Sequence, residues 1–220
     1  MVPIIFLGPS LSIKKAREVF PFAEYRSPAR KGDISRIATR HESNFIGLID
    51  GVFLQDYPPT PIEVYTALSR GVKIVGAASI GAVRAVELEK FGMIGVGKIF
   101  RLYKSGKLED DDEIAVTFTD DYKLQSEALI DIRYTLYHAY KDGIIDYNTR
   151  RELIKIAKKI YFPYRTYDEI LNKAKDVIDN TILTRLEEYI AKNRKSLKEE
   201  DSIRLLNYMK KRYIESLKAK

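Results

Sequence analysis

The chain has 220 residues, 45% of them hydrophobic, with no cysteine, two histidines and a formal net charge of +7. That length suits one α/β core of roughly 100 to 150 residues plus a smaller appended part. Without cysteine there is no disulfide framework, thiolate metal site, cysteine nucleophile or chain-borne persulfide, and His41 and His138 stand in no metal-ligand spacing, so neither a metal nor a cofactor is expected.

The elements follow in order. Pro3–Leu7, Phe45–Ile49 and Val72–Val75 are short apolar runs, each followed by a loop and an amphipathic helical pattern. This alternation predicts a small Rossmann-like parallel sheet with flanking helices. Each run ends in residues with special backbone needs: Gly8-Pro9-Ser10, Asp50-Gly51 and Gly76-Ala77-Ala78-Ser79. In open parallel sheets, ligands gather beyond these carboxyl ends. After Phe91, four glycines (92, 95, 97 and 106) and the acidic run Glu109–Glu113 predict a connecting or lid region, then a strand from Ile114 to Phe118. From Tyr122 onward, apolar spacing such as Leu129, Ile132, Leu136 and Leu153, Ile156, Ile160 predicts four or five helices. The expected division is an α/β core over 1–120 and an all-helical C-terminal region over 121–220.

Charge follows the same division, with 16 Lys+Arg against 15 Asp+Glu up to residue 120 and 22 against 16 after it. The later part also holds 11 of the 15 tyrosines. Because most lie at helical spacing beside Leu and Ile, they read as rings half-buried between helices rather than as a platform for bases. Nucleic acid is therefore not an expected partner; binding it would need Lys192, Arg194, Lys195, Lys198 and Lys210–Arg212 on one face. No apolar run approaches the ~18 to 20 residues that span a bilayer, and Met1–Leu7 meets Gly8-Pro9 too early for a signal peptide, so a soluble cytoplasmic protein is expected.

Chemistry concentrates at Ser79. It ends a strand and opens a helix (Ile80 to Glu89), and the small neighbours Gly76, Ala77, Ala78, Gly81 and Ala82 leave room for a sharp turn like that of a nucleophile elbow. The helix start offers free amides where an oxyanion would form. Two other roles fit the same spacing: a helix cap, or an anion held by helix amides with no covalent step. Candidate bases are Asp50, Glu63 and His41, and no triad assembles from their spacing. Asp50 also suits accepting backbone hydrogen bonds in an Asp-Gly turn. Arg30, in the Pro/Gly-bearing loop 26–33 with Asp33, suits gripping a carboxylate or thiocarboxylate, and Arg84 and Glu87 form either a helix-surface pair or part of a crevice. Glu109–Glu113 reads as a solvated turn more readily than as a magnesium site.

Six segments in register, Phe6-Leu7-Gly8-Pro9-Ser10, Arg30-Lys31-Gly32-Asp33-Ile34, Ile46 to Phe53, Gly76 to Ala85, Phe91-Gly92-Met93 and Leu108 to Val116, resemble the TfuA-like family across the first 120 residues or so. The resemblance implies a partner of YcaO enzymes, which use ATP to activate a peptide amide for thioamidation. It implies that this chain supplies sulfide by hydrolysing the C-terminal thiocarboxylate of a ubiquitin-like ThiS-type carrier. It puts catalysis at Ser79 with Asp50 and Arg84 beside it, and substrate binding at Gly8, Arg30, Asp33, Gly76, Ile80 and Gly81. Many relatives carry a His-Lys pair before the glutamate that is Glu63 here, whereas this chain has Pro61-Ile62; a required histidine base would set it apart. The alternative is a non-catalytic protein that organises YcaO, peptide and carrier.

Overall fold

Short apolar runs buried on both faces need helices on both faces, and the chain supplies them from distant parts of its length. The structure, a computed structural model, describes residues 1–52 and 57–218. Phe53, the last residue of one family segment, lies outside them. Two compact units result: residues 1–109 with 198–220, and residues 110–197.

In the first unit five strands, β1 (Ile4–Phe6), β2 (Glu24–Arg26), β3 (Phe45–Leu48), β4 (Lys73–Gly76) and β5 (Ile94–Gly95), pair in parallel in the order β2-β1-β3-β4-β5. The helices of the chain are α1 (Ile13–Val19), α2 (Asp33–Arg40), α3 (Pro61–Ser69), α4 (Ile80–Leu88), α5 (Gly97–Lys104), α6 (Leu129–Lys141), α7 (Tyr147–Lys159), α8 (Tyr167–Ala174), α9 (Asn180–Asn193) and α10 (Leu197–Lys218). α1 and α3 are capped locally, by Ser12 accepting from the Lys15 amide and Thr60 accepting from that of Glu63.

Register explains the layering. Ile5, Gly47 and Val75 lie side by side and face one way, by the two-residue period of a strand. Leu205, Leu206 and Met209 of α10 join Ile5, Val75, Ala77, Ala78 and Phe20 in the core on that face. A Cβ on Gly47 would lie 2.7 Å from the Met209 sulfur, so the glycine lets α10 settle onto the sheet. On the other face α4 starts directly over β3 and β4: a Cβ on Gly76 would sit 2.0 Å from the Gly81 carbonyl oxygen, and one on Gly81 would sit 1.8 Å from that of Leu48.

The second unit packs α6 to α9 around Leu129, Ile132, Leu136, Leu153, Leu171 and Leu186. Arg165, fully buried, donates to the Ala157 and Ile160 carbonyls at 3.0 Å and to the Asp112 carboxylate at 2.7 Å, closing the end of α7. Glu113 pairs with Arg133 and Asp110 with Lys158. Asp110, Asp112 and Glu113 of the acidic run are thus bound to the unit's own cations.

Several expectations change. The glycine-rich stretch after Phe91 holds β5 and α5 rather than a lid. Ile114–Phe118 is not a strand: a 3-10 turn ends at Glu113, and only Phe118 makes an isolated bridge, to Leu124. Its Ile114, Ala115 and Val116 are buried as separate side chains, which mimics a strand in sequence. The α/β unit stops at Glu109 and takes back α10, where the sequence suggested a single boundary near 120. The basic excess moves with that helix, giving 23 Lys+Arg against 14 Asp+Glu in the sheet unit and 15 against 17 in the helical one. Among the described residues, no helix is long and apolar enough to cross a membrane.

Candidate active site at the carboxyl edge of the sheet

β2 and β3 flank β1 on opposite sides, so the winding of the chain reverses there, and the crevice between β1 and β3 is where doubly wound sheets usually take nucleotides. In this protein an internal carboxylate bridges it. Asp50, 1% exposed, accepts from the Gly8 amide at 2.9 Å, the Ser10 amide at 3.0 Å and the Ser10 hydroxyl at 2.5 Å. Its partners lie across the sheet rather than in its own Asp-Gly turn. Beyond the end of β1 the segments following β2 and β3 pair directly, with the Ala29 amide on the Asp50 carbonyl and the Val52 amide on that of Ala29.

Two more amide clusters at this edge are covered in the same way. Glu63, buried on α3, accepts from the Gly32, Ile34 and Ser35 amides at 3.0, 2.9 and 3.1 Å and so caps α2 from outside. Asp201 of α10, fully buried, accepts from the Lys98 and Ile99 amides at the start of α5. Burial pushes the Asp201 carboxyl above its ordinary pKa, and those two amides oppose the shift.

The start of α4 is different. Ser79 occupies its N-cap position but makes no side-chain capping hydrogen bond, and at φ −112°, ψ −129° its backbone is neither helical nor extended. Ala78 before it has φ +64°, and the Ser79 amide bonds back to the Ala77 carbonyl at 2.8 Å. That is a γ-turn with positive φ, rare and strained for a residue with a Cβ. Gly81 donates to the Ile49 carbonyl at 3.3 Å, while the Ile80 amide has no backbone acceptor among the described residues. Of α2, α4 and α5, α4 is the helix whose start no carboxylate covers among the described residues. An oxygen bearing negative charge would find there an amide, the positive end of a helix and a hydroxyl outside the helix's own capping scheme.

The other residues singled out from sequence distribute as follows. Gly76, Ile80 and Gly81 form the Ser79 turn and its packing, and Ile80 also meets Gly51, where a Cβ would lie 2.8 Å from its methyl. Arg84, one turn along α4, donates to the Pro59 carbonyl at 2.7 Å and pairs with Glu87 at 2.8 Å, holding the loop before α3. Arg30 and Asp33 belong to the start of α2, where the Asp33 carboxylate accepts from the Arg30 amide and from Arg36. His41 ends α2 and leads into β3, at the edge of the sheet opposite Ser79. Among the described residues, no titratable side chain hydrogen-bonds the Ser79 hydroxyl. Asp201 escaped the sequence reading because its partners lie about a hundred positions away.

A family profile described as TfuA-like protein matches residues 50–166, which is 117 of the 220. The chain belongs to the TfuA-like family. Membership associates it with YcaO-dependent thioamidation. The TfuA-like match includes Asp50, the whole Ser79 turn and Arg84, and continues through α6 and α7, beyond the first 120 residues or so that carry the resemblance. Gly8, Arg30, Asp33 and Asp201 lie outside it. No curated protein matches the chain.

Proposed function

We propose that this protein hydrolyses the C-terminal thiocarboxylate of a ThiS-type carrier and so hands sulfide to a YcaO enzyme that thioamidates a peptide or protein, in the cytoplasm. The observation that carries this is the contrast at the sheet edge: the amides at Gly8–Ser10, at α2 and at α5 are covered by Asp50, Glu63 and Asp201, whereas among the described residues no carboxylate covers Ser79 and the Ile80 amide at α4. The Asp50 bridge across the crevice between β1 and β3 also fits a protein that leaves ATP chemistry to its YcaO partner.

In the covalent version, the Ser79 oxygen adds to the thiocarboxylate carbon and the Ile80 amide steadies the oxyanion. The carbon–sulfur bond then breaks, the serine proton leaves with the sulfur, and water cleaves the resulting ester. In the simpler version a water held by the turn attacks directly. Either way thiocarboxylate and water give carboxylate and hydrogen sulfide, and no oxidant or reductant is consumed.

A docking role without catalysis is the second candidate, favoured by the lack of a titratable partner for Ser79 among the described residues. Sulfide release from a thiocarboxylated carrier separates the three. In the covalent version, Ser79→Ala lowers release by about a hundredfold or more. Unchanged release by a folded Ser79→Ala protein leaves the water version. No release from wild type, together with tight binding to YcaO, establishes the docking role.

A further inference from the structure

Asp201 stands 122 positions beyond Ser79, outside the family match, yet the backbone near the turn is shaped around it. Gly97 has φ +102°, and a Cβ there would lie 2.3 Å from the Asp201 carboxylate carbon, so only glycine admits the carboxylate. The two oxygens of Asp201 then take the Lys98 amide at 2.9 Å and the Ile99 amide at 2.7 Å, with Arg204 on one of them at 2.8 Å. One residue before Gly97, the Val96 amide donates to the Gly76 carbonyl at 2.9 Å. Gly76 is the last residue of β4, immediately before Ala77-Ala78-Ser79. The same helix sets Leu205, Leu206 and Met209 in one core with Ala77 and Ala78.

We infer that Asp201 is a positioning residue for the Ser79 turn, fixing it through the start of α5 and the Val96–Gly76 hydrogen bond while its own helix supports Ala77 and Ala78 from below. A strained γ-turn persists only where its surroundings over-determine it, and these two lines of contact do so from the β5 side and from the opposite face of the sheet. A carboxylate buried here despite its desolvation is what such a constraint requires: two amides accepted on two separate oxygens of one side chain, an arrangement that asparagine, with one acceptor oxygen, does not reproduce. The catalytic part of this inference rests on the hydrolase proposal; the structural part does not.

Asp201→Asn keeps the volume but sets an amide donor against one of the two backbone donors. The comparison is Ile37→Ala, a buried α2 substitution away from the Ser79 turn. At matched thermal destabilisation, Asp201→Asn is expected to lower kcat for sulfide release roughly ten- to a hundredfold with KM changed less than twofold, whereas Ile37→Ala leaves kcat near wild type. Amide hydrogen exchange of residues 77–82 is expected to speed at least tenfold in Asp201→Asn and not in Ile37→Ala. If exchange quickens only at 97–100, or if the two variants lose kcat equally, Asp201 is no more than a helix cap and the inference falls. If wild type releases no sulfide, the hydrolase proposal fails, and the exchange measurement still decides whether Asp201 holds the turn.

Discussion

Ala78 carries the clearest conflict between a residue and its backbone. An alanine at φ +64° costs about 1 kcal/mol or more relative to glycine, and its methyl is fully buried against the α10 core. Replacing it with glycine removes the strain and the packing together. Ala78→Gly is thus expected to keep stability within about 1 kcal/mol of wild type, by denaturant unfolding, while lowering sulfide release because Ser79 is no longer held in one orientation. Wild-type activity in that variant would make the strain incidental. The Ser79 turn was legible in the sequence because small residues between a β-branched run and a helical pattern have few other uses. The partners of Asp50 were not, since the acceptor role that suits an Asp-Gly turn is here taken across the sheet, some forty positions away.

At the scale of elements, β1, β3, β4 and α4 were readable because each strand is a buried apolar run and each run feeds a turn. The edge strands were not. β2 is Glu-Tyr-Arg and β5 only two residues, and neither has the buried run that marks a central strand. In the helical unit, Glu127 shows what a sequence pattern leaves out. Nearly buried, it pairs with Arg194 at 2.5 Å, yet burial, with Asp131 adding to it and Arg194 opposing, pushes its carboxyl up to about 6. A folded-state value above the unfolded one means that the native protein binds this proton more tightly. The stabilisation is full below the unfolded value near 4.5 and disappears as pH rises through about 6, so the ionised group costs about 2 kcal/mol at pH 7. Glu127→Gln should consequently compare with wild type more favourably at pH 7 than at pH 4.5, by up to about 2 kcal/mol in paired unfolding curves. Equal differences at the two pH values would show that Glu127 titrates as it does in the unfolded chain.

Over the whole molecule, charge divides by unit and not by position along the sequence. The sheet unit has nine more cationic than anionic residues and the helical unit two fewer. A partner steered by this field is expected to be acidic and to engage the sheet unit. Its dissociation constant should rise at least tenfold between 50 and 500 mM salt, as measured by titration calorimetry. An affinity indifferent to salt would reduce the excess to a means of staying solvated.

The return of α10 to the sheet also sets an order on synthesis. Gly47 and Met209, which meet in the folded protein, are 162 positions apart, and the 88 residues of the helical unit are made between the strand core and the helix that covers it. At ordinary elongation rates of about 5 to 20 residues per second, the part of this face that α10 covers waits roughly 5 to 20 s after β5 is made, with only Leu11, Ala16 and Phe20 from the α1 region available to it. The helical unit, built from local contacts, is complete before the older half of the chain can close. For that interval Gly47 and its neighbours on this face lack the α10 side chains that meet them in the folded protein, so shielding of this apolar surface is needed until α10 leaves the ribosome.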